Sequence, residues 1–172
     1  MVQALPYDDH AAMRVLKDLD ASDLVEIGLM RGAQPNHLAL FADWRQMQTM
    51  AALSYVLALD ASAGGIPFGV LVIGQTQPGV AQAAMLARDH TKYRRPLIQT
   101  ARRIRNEIPV FAKEAGLHRI EARSWVDHPR ANKFLRLCGF TKEAALPGFG
   151  PDGRATFNQF AWTNTNPKPP EG

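Results

Sequence analysis

The stretch Asp89-His-Thr-Lys-Tyr-Arg-Arg-Pro-Leu-Ile-Gln-Thr-Ala-Arg-Arg-Ile-Arg105 decides the fold. From Leu97 onward, Leu97, Ala101, Ile104, Ile108 and Phe111 recur at spacings of four and three, which is the apolar stripe of one helix. Pro96 precedes the stripe, where a first-turn proline costs no hydrogen bond. Pro109 falls inside the helix and is expected to kink or split it near Arg105, because it lacks an N–H and its ring crowds the preceding turn. Ahead of the stretch, Val80–Ala87 reads as a strand, and after Gly116 ends the helix, Arg119–Trp125 alternates like another. Two strands joined through such a helix form a β-α-β crossover and run parallel. A helix opening directly after a strand points unpaired N–H groups and its positive dipole end at the strand's tip, a spot that attracts phosphate. Lys92, Arg94 and Arg95 stand beside it as charge-assisted donors, although the same cations also read as a solvated helix face.

Composition bounds the function. A chain of 172 residues, 46% apolar and 21% charged, has the size and make-up of one globular domain, expected over 1–162 with a polar tail at 163–172. No window suits a membrane span and the N-terminus shows no signal-peptide pattern, so a cytoplasmic location is expected. The single cysteine, Cys138, excludes an internal disulfide and a cysteine-rich metal cluster, and it reads as a buried structural residue. Histidines at 10, 37, 118 and 128 show no ligand spacing, so no metal is expected. The net charge of +4 suggests an anionic partner, either a phosphorylated cofactor or nucleic acid. Against nucleic acid, no reading motif surrounds Arg102, Arg103 and Arg105, aromatics do not interleave them, and Glu107 closes the run.

Around this centre the chain reads as an α+β protein. Val2–Tyr7 is a candidate edge strand, and Asp8 or Asp9 caps a helix to about Asp18 that turns Met13, Leu16 and Leu19 inward. Ser22 and Asp23 cap a second helix with Leu24, Ile27 and Leu29 on its buried side, closed by Gly32. Pro35–Met50 is a third, with Leu38, Phe41 and Met47 on one side and Leu40 and Trp44 close by. Ser54–Asp60, Phe68–Gln75 and Val80–Ala87, separated by turns at Gly64-Gly65 and Gln77-Pro-Gly, form an antiparallel meander. After Trp125 come a helix opened by Asp127 or His128 and stopped by Gly139, a strand at Phe140–Leu146, a Phe149-Gly-Pro-Asp-Gly turn and a last strand at Ala155–Trp162. The expected sheet is mixed and mostly antiparallel, flanked by helices, with Val80–Ala87 and Arg119–Trp125 as its one parallel pair.

The order of these pieces resembles the GNAT-type N-acetyltransferases over about Val80–Trp162. Ala115–Ser124 resembles the end of that family's cofactor helix and its fifth strand. His128-Pro-Arg-Ala-Asn-Lys-Phe-Leu-Arg-Leu-Cys-Gly-Phe140 resembles the Asn-x-x-Ala…Gly-Phe helix, and Phe149–Arg154 the loop before the last strand. The resemblance implies acetyl-CoA, held where the fourth and fifth strands splay, an amine acceptor that the sequence does not identify, and a pyrophosphate on the basic turn. It implies Ala87, Arg88, Lys92, Arg94, Arg95, Thr100, His128 and Asn132 as cofactor-binding residues. Three departures stand out. The family's glycine-rich pyrophosphate turn is glycine-free between Tyr93 and Ala101. A tyrosine often serving as general acid falls at Leu135, and the asparagine opening the helix is His128. Leu19-Asp-Ala-Ser-Asp-Leu-Val-Glu-Ile-Gly28 is also similar to the start of degenerate GNAT-like proteins of tailed bacteriophages, which implies a non-catalytic binding or structural alternative with virion or homo-oligomer partners.

Acyl transfer to an amine needs a group to take the ammonium proton. Glu121, mid-strand and opposite Ile120 and Ala122, is one candidate, and a cross-strand ion pair with Arg119 or Arg123 is its structural explanation. Asp89 and His90, at the tip of the preceding strand, are the others, and a dipole-stabilising carboxylate is the structural explanation for Asp89. Glu26 could reach in from the N-terminal helices.

Overall fold

The computed structural model describes residues 1–60 and 65–164. The expected Gly64-Gly65 turn therefore falls partly, and the polar tail from 165 wholly, outside the described residues. One seven-stranded sheet runs in the order β1-β2-β3-β4-β5-β7-β6. Its strands are β1 (Val2–Pro6), β2 (Ala51–Leu59), β3 (Ile66–Gln77), β4 (Val80–Ala87), β5 (Arg119–Trp125), β6 (Thr141–Phe149) and β7 (Ala155–Thr163). Every neighbouring pair is antiparallel except β4–β5, the pair joined through α4 (Arg94–Glu114).

The two faces carry different helices. On one, α4 and α5 (Ala131–Leu137) bury Ala101, Ile108 and Ala112 against Ile73, Ala81, Ile120 and Phe160. On the other, α1 (Asp9–Leu16) and α3 (His37–Met47) pack Val15, Leu16 and Trp44 against Val56, Val70 and Val72. Between them in sequence, α2 (Ala21–Arg31) ends at Gly32, whose φ of 74° is the left-handed C-cap that glycine tolerates. Among the described residues no helix is long and apolar enough to cross a membrane.

Pro109 does not split α4, which continues through it as one helix. Its ring lies on the exposed face, where water can satisfy the freed Arg105 carbonyl, while Ala101, Ile108 and Ala112 on the opposite face stay anchored to the sheet. Packing on both sides of the lost bond outweighs the local defect.

The N-terminal helices differ from expectation in their buried faces. In α1 the inward residues are Ala12, Val15 and Leu16, with Met13 only partly buried. In α3 they are Leu40 and Trp44, and Leu38 points to solvent. In α2 the N-cap is Asp20, not Ser22 or Asp23, and the only buried side chain is the acid Asp23. That inversion, an acid where an aliphatic was expected, locates the site.

Candidate active site

Parallel pairing between β4 and β5 lasts for Val80↔Arg119, Ala81↔Ile120 and Gln82↔Glu121, and then the strands diverge. The N–H of Arg88 bonds the Phe68 carbonyl of β3 at 2.8 Å, so alternation turns the backbone of Met85 and Ala87 the other way, toward β5. The same alternation turns Arg123 and Trp125 of β5 toward β4. The gap is thus edged by the unpaired backbones of Met85 and Arg123. A cavity of about 890 Å³ occupies it, walled by Thr100 and Ile104 of α4, Phe134 of α5, and Glu26 and Trp44 from the opposite face.

Two carboxylates of α2 close the far end. Asp23 Oδ2 accepts the Ala87 N–H at 2.9 Å, and Glu26 Oε2 accepts the Trp125 N–H at 2.7 Å. Positions 23 and 26 are three apart on one helix face, so one element caps both strands.

Behind Asp23 lies a buried pair of histidines, with ring centroids 5.7 Å apart. His128 Nδ1 accepts the N–H groups of Arg130 and Ala131 at 3.2 and 2.9 Å. Nε2 must therefore carry the ring hydrogen, and it donates to Asp23 Oδ1 at 3.0 Å. His90 Nε2 lies 3.3 Å from Asp23 Oδ2, and its Nδ1 lies 3.7 Å from Asp20 Oδ1. Asp20 also accepts the His90 N–H at 2.8 Å and, as N-cap of α2, the Ser22 N–H at 2.9 Å. Asp23, His90 and His128 place ligand-type atoms within 4.8 Å of one another. The donor state of His128 makes the group a hydrogen-bonded ion cluster centred on Asp23.

Charge states follow from these partners. Burial alone would raise the Asp23 carboxyl, but hydrogen bonds from His128 and His90 hold it below its ordinary value. Burial would lower His90, and the Asp23 hydrogen bond with the Asp23 and Asp20 charges more than offsets it, so His90 titrates higher than usual. Burial raises Glu26 above the ordinary carboxylate range despite the Trp125 N–H.

The basic turn is built differently from a glycine cradle. Asp89 Oδ1 accepts the N–H groups of Thr91 and Lys92 at 3.0 and 2.9 Å, and its carbonyl accepts that of Tyr93 at 3.0 Å. Tyr93 is buried and stacks on Phe68 at 5.4 Å, which pins the turn to β3. Lys92 Nζ lies 5.5 Å from the Tyr93 ring, while Arg94 and Arg95 project into solvent.

The structure separates the residues singled out from the sequence. Glu121 pairs with Arg119 at 2.6 Å on the paired side of the gap and does not line the cavity, so its place is that of the ion pair. Asp89 is exposed and serves the turn. His90 and His128 belong to the cluster behind Asp23. Ala87 is capped by Asp23, and Arg88 is drawn to Pro67 and Asp18 at 3.0 and 3.1 Å. Thr100 lines the cavity with its hydroxyl donating to the Pro96 carbonyl at 3.0 Å. Asn132 is committed, accepting from Ser124 and Asn158 at 2.8 and 2.7 Å and donating to the Trp125 carbonyl at 2.9 Å. Leu135 lines the cavity. Cys138 is buried and its thiol is pushed up to about 12. Asp20 and Asp23 were missed, and the signal was available: Asp20, Asp23 and Glu26 recur every third residue beside an apolar helix face.

A central sheet whose single parallel pair splays around a cavity is the fold of the GNAT acetyltransferases. The chain is similar over 94% of its length to 94% of a GNAT-family acetyltransferase from Bacillus anthracis (TM-score 0.70, 13% identity). It covers 96% of ribosomal-protein-S5-alanine acetyltransferase from Vibrio fischeri with 98% of its own length (0.69, 13%). It likewise covers 94% of spermidine N-acetyltransferase from Vibrio cholerae, solved with CoA and spermine, with 95% of its own length (0.64, 15%). No protein-family model and no curated protein sequence matches the chain.

Proposed function

We propose that the protein transfers an acetyl group from acetyl-CoA to the amine of an acceptor. The observation that carries this reading is the gap beyond Gln82↔Glu121, with the unpaired Met85 backbone along it and a cavity large enough for substrates within it. Acetyl-CoA supplies the acetyl group already activated as a thioester. The N–H and carbonyl of Met85 would pair with the amides of the pantetheine arm as a neighbouring strand does, and Thr100, Ile104 and Phe134 would exclude water from it. At the turn Asp89 takes the Thr91 and Lys92 N–H groups, so Arg94 and Arg95 would meet the phosphates with side chains. The gap fits the arm; the turn offers cations instead of amides.

The amine nitrogen attacks the thioester carbonyl, the C–S bond breaks, and the sulfur leaves as thiolate or thiol. A thiol ionises at about 8–9, so the thiolate is a competent leaving group, and Leu135 in place of an acid is compatible with departure. Orientation in the cavity supplies the main acceleration. A second reading, a binding module without turnover, draws on the occupied N–H groups of Thr91, Lys92 and Ala87. Melting with acetyl-CoA at a hundredfold over its dissociation constant separates them. Mass action adds about 2.7 kcal/mol, or roughly 5–11 °C for a chain this size, and Arg94→Glu with Arg95→Glu abolishes the shift. Thiol release with an amine panel then reports turnover. Binding without release would support the module, and no shift at millimolar acetyl-CoA would overturn the transfer reading.

A further inference from the structure

The acceptor side of the cavity has its own chemistry. From α2, Asp23, Glu26, Ile27 and Met30 line it at i, i+3, i+4 and i+7, and α3 presents Leu40, Asp43, Trp44 and Met47 at the same spacing. Each stripe ends on a methionine at the rim. Met30, Met47 and Met50 are 53%, 36% and 64% exposed, so the entrance is ringed by flexible apolar side chains left in water.

Charge is scarce and mostly committed. Asp23 is spent on Ala87 and the histidines, Asp43 on Arg31, and Glu107 on Arg103. Exposed Arg123 turns to Gln159. Glu26 engages the Trp125 N–H with one oxygen, and its second oxygen accepts no hydrogen bond among the described residues. Glu114, exposed on the last turn of α4, also lines the cavity, so on the α2–α3 side Glu26 is the one uncommitted carboxylate among the described residues, set above an apolar channel. A polyamine would bury further ammonium groups against Leu40, Met30 and Trp44, whose unpartnered Nε1 is itself a donor, and an aminoglycoside would bury more hydroxyls than that one donor can meet, a costly arrangement.

We propose that the acceptor is a monoamine carried on a bulky apolar body, its nitrogen seated at Glu26 and its body along Ile27, Met30, Trp44 and Met47. This rests on the acetyl-transfer reading and departs from the polyamine named for the spermidine N-acetyltransferase neighbour. Glu26 is then the group that takes the ammonium proton before attack, through Oε1 or a water beside it.

Calorimetric titration of the full chain with tryptamine and with spermidine tests this, with and without acetyl-CoA, followed by thiol release. Tryptamine is expected to bind and react at least tenfold better. Glu26→Gln should weaken tryptamine binding at least tenfold while leaving the acetyl-CoA melting shift intact, which also shows that the variant is folded. Met30→Gln with Met47→Gln, at exposed positions, should raise KM for tryptamine severalfold and leave spermidine unchanged. Spermidine binding as tightly as tryptamine, or tryptamine binding indifferent to Glu26, would overturn the proposal. If tryptamine binds through Glu26 while acetyl-CoA neither shifts the melt nor releases thiol, the amine site stands and the transfer reading falls.

Discussion

Asp23→Asn isolates the hub of the site. The carboxylate accepts from His128 Nε2 at 3.0 Å and from the Ala87 N–H at 2.9 Å, with His90 Nε2 at 3.3 Å. An asparagine of the same shape has one acceptor oxygen, so its amide nitrogen must confront a donor. A change of tautomer cannot rescue His128, because its Nδ1 already accepts two backbone N–H groups. One donor is stranded, and His90, when protonated, loses its nearest counter-charge. Removing one partner of such a buried pair costs about 3–5 kcal/mol, a fall of about 6–20 °C in melting temperature for a chain this size. The loss should depend on pH. The His90 pKa is raised in the folded protein, so the stability it contributes is full below its ordinary 6.5 and disappears as pH rises through the folded value. Melts followed by circular dichroism should show a larger deficit at pH 6 than at pH 9. Melting within about 2 °C of the parent at both pH values would refute the reasoning.

Glu26→Gln should melt higher than the parent at pH 7.5, because burial raises the Glu26 carboxyl and the folded state holds its ionised form at a cost. The stability linked to a raised carboxyl is full below its ordinary 4.5 and lost as pH rises, so the advantage should shrink in acid. Asp89→Ala removes the side chain that holds the turn, costing about 1 kcal/mol by denaturant titration. It also frees the Thr91 and Lys92 N–H groups, and acetyl-CoA should bind more tightly in calorimetry. Pro109→Ala restores a helix donor on an exposed face. It should stabilise by roughly 2 kcal/mol in urea, the ~3 kcal/mol helix preference less the proline's restriction of the unfolded chain.

Local rules sufficed where one period dominates. The stripe from Leu97 to Phe111, the flanking strands Val80–Ala87 and Arg119–Trp125, and the glycine stops at 32 and 139 are each specified by neighbours in sequence. Rules of local propensity failed where a distant partner sets the outcome. Pro109 looks like a breaker until the sheet beneath α4 is counted. Asp23 looks like a helix cap because acids favour first turns, and only the unpaired Ala87 N–H, 64 residues away, gives it a buried task. Glu121 carried two readings from its strand position, proton acceptor or ion pair with Arg119 or Arg123, and the contact to Arg119, two residues back, is the local one. The basic turn was legible as a cluster of cations, but Asp89 filling its N–H groups depends on a turn geometry that residue types alone do not fix.

On the proposed reading, acetyl-CoA lies along the open edge between β4 and β5. Amide hydrogen exchange by NMR, with and without millimolar acetyl-CoA, tests it at single residues. Protection should rise at least tenfold at Met85, whose N–H faces the gap, and change little at Ala84 and Leu86, which face β3. Unchanged exchange at Met85 in the presence of the thioester would contradict the claim.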